Sequence, residues 1–308
     1  MARSKLSVGR FEGHCRNLVK GAINFRGERP DIVRGYQFRL LGLFTPCVAV
    51  ESEGGEIYFL DTSDMVLSRT TYERRSFDLD FMDRAMDTVK RYCGEVVANH
   101  TLIDVGANIG TSAVPGITRY GASSVVAFEP SPRNTRLLRV NIAANDLLEK
   151  IDVRAVAVSN YVGTAELELS PTNSGDHRVR QSTLDGEFGE ANRMTVIVPV
   201  TSLAEASLSV EDVGLIWMDV QGHEGHVLSG AGILLGSVPV VSEYWPYGLQ
   251  RAGGLEMFKD AVRSHYSRVV VIRSASSVPS GSLFEARDID SLVALIGTRG
   301  VSDLLLLP

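Results

Sequence analysis

The alternation of hydrophobic and polar positions divides the chain into two parts. The first third predicts a few isolated elements, and the remainder predicts a regular succession of strands and helices. Two short apolar runs, 47–51 and 56–60, flank a Gly-Gly turn and predict a β-hairpin. Residues 76–94 repeat apolar positions at helical spacing, which predicts one helix. Residues 1 to about 35 scatter basic side chains among apolar ones, which predicts a short amphipathic helix and then a loop at Pro30.

From residue 100 onward, strand-like apolar runs alternate with helical ones. The predicted strands are 102–105, 125–129, 151–158, 166–169, 194–200, 214–219, 239–243, 269–273 and 303–307. The predicted helices are 109–119, 133–145, 224–228 and 255–265. This order predicts an α/β fold with a mostly parallel, doubly wound sheet, in which the last two strands pair as a late antiparallel hairpin.

The same patterns predict two parts of the chain. Residues 1–94 form an N-terminal extension of helix, hairpin and helix, which we expect to contact substrate or a dimer partner. Residues 95–308 form one α/β domain that carries the chemistry. Within this domain the stretch 170–193 is too polar for the core and is predicted to be a loop.

Composition narrows the class of protein. Hydrophobic residues make up 44% and charged residues 22% of the 308 residues, which are the values of an ordinary globular chain. The formal net charge of −6 argues against a nucleic-acid backbone as the partner. The three cysteines are scattered, and no apolar run reaches the ~18–20 residues that cross a bilayer. We therefore expect a soluble, cytoplasmic protein with no membrane span.

The first predicted strand of the α/β domain runs into a glycine-punctuated turn. Asp104 closes the strand, and Gly106, Asn108 and Gly110 follow it at a spacing that differs from the dinucleotide pattern G-x-G-x-x-G. Glu129 ends the next strand, where an acidic residue can accept hydrogen bonds from ribose hydroxyls. Asp104 would repel a diphosphate and attract an ammonium group, so the pattern favours S-adenosylmethionine over a dinucleotide.

Two later strand ends supply further acidic residues. Asp219 ends one strand and Glu243 the next, and three aromatic residues after Glu243 are candidates for a substrate pocket, a lid or a subunit contact. His223 is predicted on an exposed turn, either as a general base or as an ordinary surface histidine. Glu224 either caps the helix that it begins or takes part in function. Two carboxylates could hold Mg²⁺, but by themselves they do not favour a metal.

Several short motifs follow one another along the chain. They are Asp104-Val-Gly-Ala-Asn-Ile-Gly110, Glu129-Pro-Ser-Pro132, Asn141-Ile142 and Asp219-Val-Gln-Gly-His-Glu224, with Tyr72-Glu73 before them and Gly230-Ala231 after them. Over residues 60–250 they resemble FkbM-type methyltransferases. The resemblance implies a Rossmann-like class I methyltransferase that uses S-adenosylmethionine, generally to methylate a hydroxyl oxygen. It also implies acceptors such as polyketide-like natural products or the sugars of glycolipids and polysaccharides.

The resemblance also implies roles for individual residues. Around the methionine part of the cofactor it places Asp104, Gly106, Asn108 and Gly110. Around the nucleoside it places Glu129 at the ribose, Ser131 near the adenosine, and Ala157 to Ser159 beside the adenine. Asn141 would support the adenosine side of the site from the second helix. Asp219 would face the methyl group and the acceptor. An attacking hydroxyl must lose its proton, and His223 is the first choice of base, ahead of Asp219 and Glu243.

Two alternatives remain open at this point. One is an NAD-dependent oxidoreductase on a similar fold, which Asn108 and the position of Asp104 argue against. The other is a catalytically silent domain that binds the cofactor without turnover. The first 60 residues and the loop at 170–193 match nothing in the resemblance, so we expect acceptor specificity there, with the extension as a candidate homodimer contact.

Overall fold

The computed structural model describes residues 31–274 and 277–308. They belong to two compact units, one ending at Ser76 and the other running from Phe77 to Pro308. The amphipathic helix predicted at the N-terminus falls mainly outside the described residues. Directly after Pro30, where a loop was predicted, the chain is helical as α1, Asp31–Leu41.

The first unit contains the predicted hairpin. Strands β1, Cys47–Glu51, and β2, Ile57–Asp61, pair antiparallel in a register that sets Cys47 opposite Asp61. Helix α2, Leu67–Arg74, follows. Just beyond it, Arg75 donates hydrogen bonds from its guanidinium to the carbonyl oxygens of Glu51 and Ser52, at 2.8 Å and 3.2 Å.

The second unit alternates strands and helices as predicted. Its helices are α3 Leu79–Cys93, α4 Ala113–Thr118, α5 Pro132–Ala144, α6 Glu224–Ser229, α7 Pro246–Arg251, α8 Leu255–His265 and α9 Ile289–Ile296. Its first strands are β3 Thr101–Val105, β4 Ser124–Phe128, β5 Ile151–Arg154, β6 Ala157–Val158, β7 Gly163–Leu169, β8 Arg178–Val179 and β9 Met194–Thr201. Its last strands are β10 Val213–Met218, β11 Val240–Tyr244, β12 Arg268–Ser274, β13 Leu283–Glu285 and β14 Ser302–Leu307.

The main sheet has eight strands in the order β13-β12-β14-β11-β10-β3-β4-β5. The five strands from β11 to β5 are parallel to one another. Strand β14 lies antiparallel between β11 and β12, and β13 pairs antiparallel with β12. The predicted Rossmann-like α/β fold and the late antiparallel pairing are therefore confirmed. The two late strands are not joined by a tight turn, because β13 and α9 lie between them in the chain.

Both faces of the parallel strands are covered, as strands that are apolar at every position require. All six residues of β10 are buried. On one face, Ile216 and Met218 join a core cluster with residues of α6, α8 and α9. On the other face, Trp217 packs on Phe81 of α3 with ring centroids 5.5 Å apart. Helix α3, which the sequence pattern assigned to the extension ending at residue 94, thus belongs to the second unit.

The predicted strand 151–158 is divided into two. Strand β5 ends at Arg154 on the edge of the main sheet, and β6 pairs instead with β9 in a second sheet of order β6-β9-β7-β8. Strand β8 lies inside the stretch predicted as a polar loop. That stretch is partly buried because its charges pair: the Arg178 guanidinium lies 2.8 Å from the carboxylate of Glu190, which is fully buried.

Among the residues that the structure describes, no helix is both long enough and apolar enough to cross a bilayer.

Candidate active site

The carboxyl ends of β10, β3 and β4 meet at one edge of the sheet, because these strands are parallel neighbours. A cleft opens there, at the edge of the sheet where ligands of parallel α/β folds bind. Six of the predicted residues line it, namely Gly106, Asn108, Glu129, Ala157, Asp219 and His223. The other six lie outside its lining, namely Asp104, Gly110, Ser131, Asn141, Ser159 and Glu243.

The turn after β3 adopts backbone conformations that favour glycine. Gly106 has a φ of +91°, and a Cβ at this position would overlap the carbonyl oxygen of Asp219. Gly110 has a φ of +96°, and a Cβ there would lie 2.9 Å from the Leu138 side chain. Asn108 also takes a left-handed conformation, with a φ of +49°. The turn therefore packs directly against the end of β10, where a larger residue would push the two apart.

The Glu129 carboxylate is held by backbone groups on both of its oxygens. Its Oε2 accepts the N–H of Asn108 at 2.9 Å, and its Oε1 accepts the N–H of Ser131 at 2.8 Å. Burial raises the pKa of Glu129 to about 7, against the opposing effect of these hydrogen bonds. The Asn134 side chain adds a third hydrogen bond, and since a carboxylate has about four lone-pair sites, Glu129 can still accept one from a ligand in the cleft.

Asp104 is fully buried and only half satisfied. Its Oδ2 accepts the hydroxyl of Ser112 at 2.5 Å, while its Oδ1 has no hydrogen-bond partner among the described residues. Burial raises the pKa of Asp104 to about 7, and the charge of Asp219 adds to that rise. A buried oxygen without a partner costs free energy, which a hydrogen-bond donor or a cation would recover.

Two predicted residues use their side chains to bind backbone groups near the cleft. The Ser131 hydroxyl accepts the N–H of Asn134 at 3.4 Å and so caps the start of α5. Asn141 is fully buried, and its side-chain amide donates to the carbonyl oxygen of Ile109 at 2.8 Å. In this structure both residues position backbone, while their predicted nearness to the adenosine stays a prediction.

The expectation that His223 sits on an exposed turn was wrong. Only 2% of the residue is exposed, and its Nε2 lies 3.0 Å from the Ser159 hydroxyl oxygen. Its ring stacks on that of His226, with centroids 4.2 Å apart. Burial lowers the pKa of His223 to about 3, and His226 contributes to that shift. A nitrogen of such low proton affinity is a weak general base, which moves the search to carboxylates.

A group of carboxylates lies beside the cleft. Gln221 donates its side-chain amide to Asp219 Oδ1 at 2.6 Å and to Glu243 Oε2 at 3.2 Å. Burial raises the pKa of Glu243 well above its usual value, and the neighbouring charges of Asp219 and Glu224 raise it further. Glu224 is buried, and its Oε1 accepts the backbone N–H groups of residues 220 and 222, so it stabilises the turn before α6.

A second pocket, which we call the polar pocket after its charged and amide side chains, shares Val179, Gln221 and His223 with the cleft. The rest of its lining is Glu168, Arg178, Gln181, Gly248, Arg251 and Ala252. None of these was singled out from the sequence. The one available signal was the charged run Asp176-His-Arg-Val-Arg180, which sets two arginines beside an aspartate within the supposed loop.

The aromatic residues after Glu243 separate into two environments. Tyr244 is fully buried and packs on Phe258 in the core. Trp245 lies on the other side, where the Arg178 guanidinium stacks over its ring at 4.5 Å and Phe188 contacts its edge. None of the three aromatic residues lines the cleft or the polar pocket, so a substrate pocket, a lid and a subunit contact all stay predictions.

The parallel sheet, the glycine turn and the acidic strand ends together define a class I methyltransferase fold. The sequence model of the FkbM methyltransferase domain matches residues 104–258, which is half of the chain. The protein therefore belongs to the FkbM methyltransferase family, as the motif resemblance predicted. With this membership the NAD-dependent oxidoreductase alternative loses its support.

Two curated relatives agree with this family. Methyltransferase sdnD of Sordaria araneosa is 29% identical over 157 residues, which is 43% of this chain and 61% of that protein. The 2-O-methyltransferase NoeI of Sinorhizobium fredii is 27% identical over 142 residues, or 42% of this chain and 56% of that protein. The chain thus matches less than two thirds of the length of either relative.

A solved O-methyltransferase from Bacillus cereus, in complex with SAH, is a looser structural neighbour. It is 11% identical with a TM-score of 0.36, and the match covers 73% of this chain and 80% of that one.

We predict that Gly106→Ala destabilises the protein more than Gly121→Ala does. Both glycines have positive φ, but a Cβ at Gly121 meets nothing within 4 Å, whereas one at Gly106 overlaps the Asp219 carbonyl. The additional loss in unfolding free energy should be about 1–3 kcal/mol, as for other overpacked sites. Urea denaturation of both variants measures the difference, and equal losses would contradict the close packing.

We predict that the His223 imidazole stays neutral across the physiological range. The pKa of His223 in the folded protein lies below its unfolded value of about 6.5. At pH values between these two pKa values, the unfolded chain therefore binds more protons than the folded one. Stability that depends on neutral His223 should therefore fall as the pH drops below about 6.5. Imidazole NMR spectra, assigned with a His223→Asn variant, should show no titration of this ring between about pH 5 and 8.

Proposed function

We propose that this protein is an S-adenosylmethionine-dependent O-methyltransferase that acts on a hydroxyl group of a small molecule or glycan. The observation that carries the proposal is the unsatisfied Oδ1 of buried Asp104, near the end of the strand whose glycine turn lines the cleft. A positively charged ligand group suits this position, because a buried carboxylate gains most from an opposite charge. A diphosphate would instead be repelled there.

Residues in and next to the cleft suit the successive parts of this cofactor. Asp104 and Asn108 each keep an unpartnered side-chain oxygen that suits the amino-acid part. Glu129 keeps a free lone pair for a ribose hydroxyl, and the apolar side chains of Ala157 and Val158 line the cleft where a purine would pack. When bound, S-adenosylmethionine supplies an electrophilic methyl group on its sulfonium.

The protein's own contribution is to position the acceptor and take its proton. Asp219 is the first candidate for the base, because it lines the cleft and because desolvation raises its own pKa above the usual value. A carboxylate of raised pKa accepts a hydroxyl proton more readily than an ordinary one. His223, the first choice from sequence, gives way because its Nε2 faces Ser159 and its pKa is about 3.

The polar pocket next to the cleft is our candidate for the acceptor site. Arg178, Arg251, Gln181 and Glu168 give it many donors and acceptors, which suits a polyhydroxylated molecule better than an apolar polyketide. The relative NoeI is named a 2-O-methyltransferase, and this agrees with transfer to oxygen. A glycan hydroxyl is therefore the acceptor class that we favour.

The cofactor is tested by calorimetry with S-adenosylmethionine and NAD. We expect the methyl donor to bind and NAD not to bind. Glu129→Gln should weaken binding by about 10–100-fold, as expected when charge-assisted hydrogen bonds are lost. Glu149→Gln serves as the matched control, because Glu149 is exposed on the surface. Binding of NAD in place of the methyl donor would overturn the proposal.

The proton acceptor is tested by kinetics with a panel of sugar acceptors. At saturating cofactor, Asp219→Asn should lower kcat by at least about 100-fold, within the usual contribution of general base catalysis. Asp212→Asn is the matched control, because Asp212 is exposed. Full activity in Asp219→Asn together with loss in His223→Asn would return the role to His223. Cofactor binding without transfer to any acceptor would favour a silent domain.

A further inference from the structure

We propose that Asp219, Glu224 and Glu243 form a binding site for one divalent cation. We call these three residues the carboxylate cluster. Each offers a carboxylate oxygen, and the three oxygens lie within 4.8 Å of one another. Ligands on opposite sides of one ion are about 4.2 Å apart for Mg²⁺ and up to about 5 Å for Ca²⁺. The spacing therefore fits a single hard cation with little movement.

The buried member of the cluster has a free oxygen. Glu224 is fully buried, and its Oε1 is occupied by the backbone N–H groups of residues 220 and 222. Its Oε2 is also buried and has no hydrogen-bond partner among the described residues. Stabilising the turn uses only Oε1, so that role does not explain why Oε2 is buried without a partner. The backbone contacts hold the carboxylate in place, as the supporting contacts of metal ligands usually do.

The protein balances the negative charges around the cluster only in part, through the attraction of Arg273. Asp303 lies directly opposite Glu243 on the neighbouring strand, and like charges in that position repel each other. The nearby Arg273 donates to Asp303 at 2.7 Å and to Asp78 at 3.2 Å, so its hydrogen bonds serve other carboxylates. A bound divalent cation would offset the excess negative charge that remains.

Gln221 marks the position that a cation would take. Its amide nitrogen lies 2.6 Å from Asp219 Oδ1 and 3.2 Å from Glu243 Oε2, which places the positive end of the amide dipole between the two carboxylates. A cation between the two carboxylates would displace this amide, which could then turn its oxygen toward the ion as one more ligand. Carboxylate and amide oxygens are the donors that Mg²⁺, Ca²⁺ and Mn²⁺ prefer.

The cluster adjoins the cleft through Asp219, which gives a bound cation a role. There it would contact the acceptor hydroxyl and lower the pKa of that hydroxyl, so that even a cation-bound Asp219, whose own pKa would be lower, could take the proton. This role rests on the proposed function. Cation binding does not rest on it, and it can be measured without cofactor or acceptor.

The test is a titration of the whole, chelator-treated protein with Mn²⁺, followed by electron paramagnetic resonance. We expect one bound Mn²⁺ per chain, displaced by Mg²⁺ or Ca²⁺. Glu243→Gln and Glu224→Gln should each weaken binding at least about tenfold, since loss of even an outer partner of a metal ligand costs about 10–100-fold. The exposed Glu285 supplies the control, Glu285→Gln, which should bind as the wild type does.

Absence of stoichiometric Mn²⁺ binding, or equal affinity in Glu243→Gln and the control, would overturn the site. Glu224→Gln also removes the support of a turn, so the thermal unfolding of each variant is measured together with the titration. If Glu224→Gln misfolds, the Mn²⁺ affinity of Glu243→Gln decides whether the cation site exists. S-adenosylmethionine binding, measured on the same samples, separates the two proposals. Loss of the cation site with retained cofactor binding leaves the methyltransferase function standing, and the reverse result leaves the cation site standing.

Discussion

The site depends on one close contact between two motifs that are far apart in the chain. Gly106, in the turn after β3, lies so near the carbonyl oxygen of Asp219 that a Cβ would overlap it. This contact brings the turn against the end of β10, so that Asp104 and Asp219 influence each other's charge. The cleft, the second pocket and the carboxylate cluster all border the backbone that the contact holds in place.

Around this contact the protein buries carboxylates at strand ends and at the start of α6, and it satisfies each of them only in part. Glu129 and Glu224 are fixed by backbone N–H groups, and Asp104 by the Ser112 hydroxyl. Burial raises the pKa of all three to about 7. Carboxylates held in this way keep oxygens available to a ligand, and groups with shifted pKa values concentrate where proteins bind and react.

The sequence predicted the fold well where local patterns decide it. The hairpin β1–β2, the parallel strands and the acidic strand ends follow from alternation and turn residues, which act over a few positions. It failed where distant partners decide. His223 looked exposed because a polar residue follows a glycine turn, yet packing on His226 buries it. The stretch 170–193 looked like a loop because it is polar, yet the Arg178–Glu190 pair buries part of it.

By itself, the sequence determined the α/β order of elements, the family, and which acidic residues end the strands. These features are encoded by residue type and spacing along a single segment, so they can be seen without the fold. The tertiary structure alone decided the proton affinity of each group and the meeting of Asp219, Glu224 and Glu243. Both depend on desolvation and on charges brought close by other segments, and the spacing of residues along one segment does not encode them.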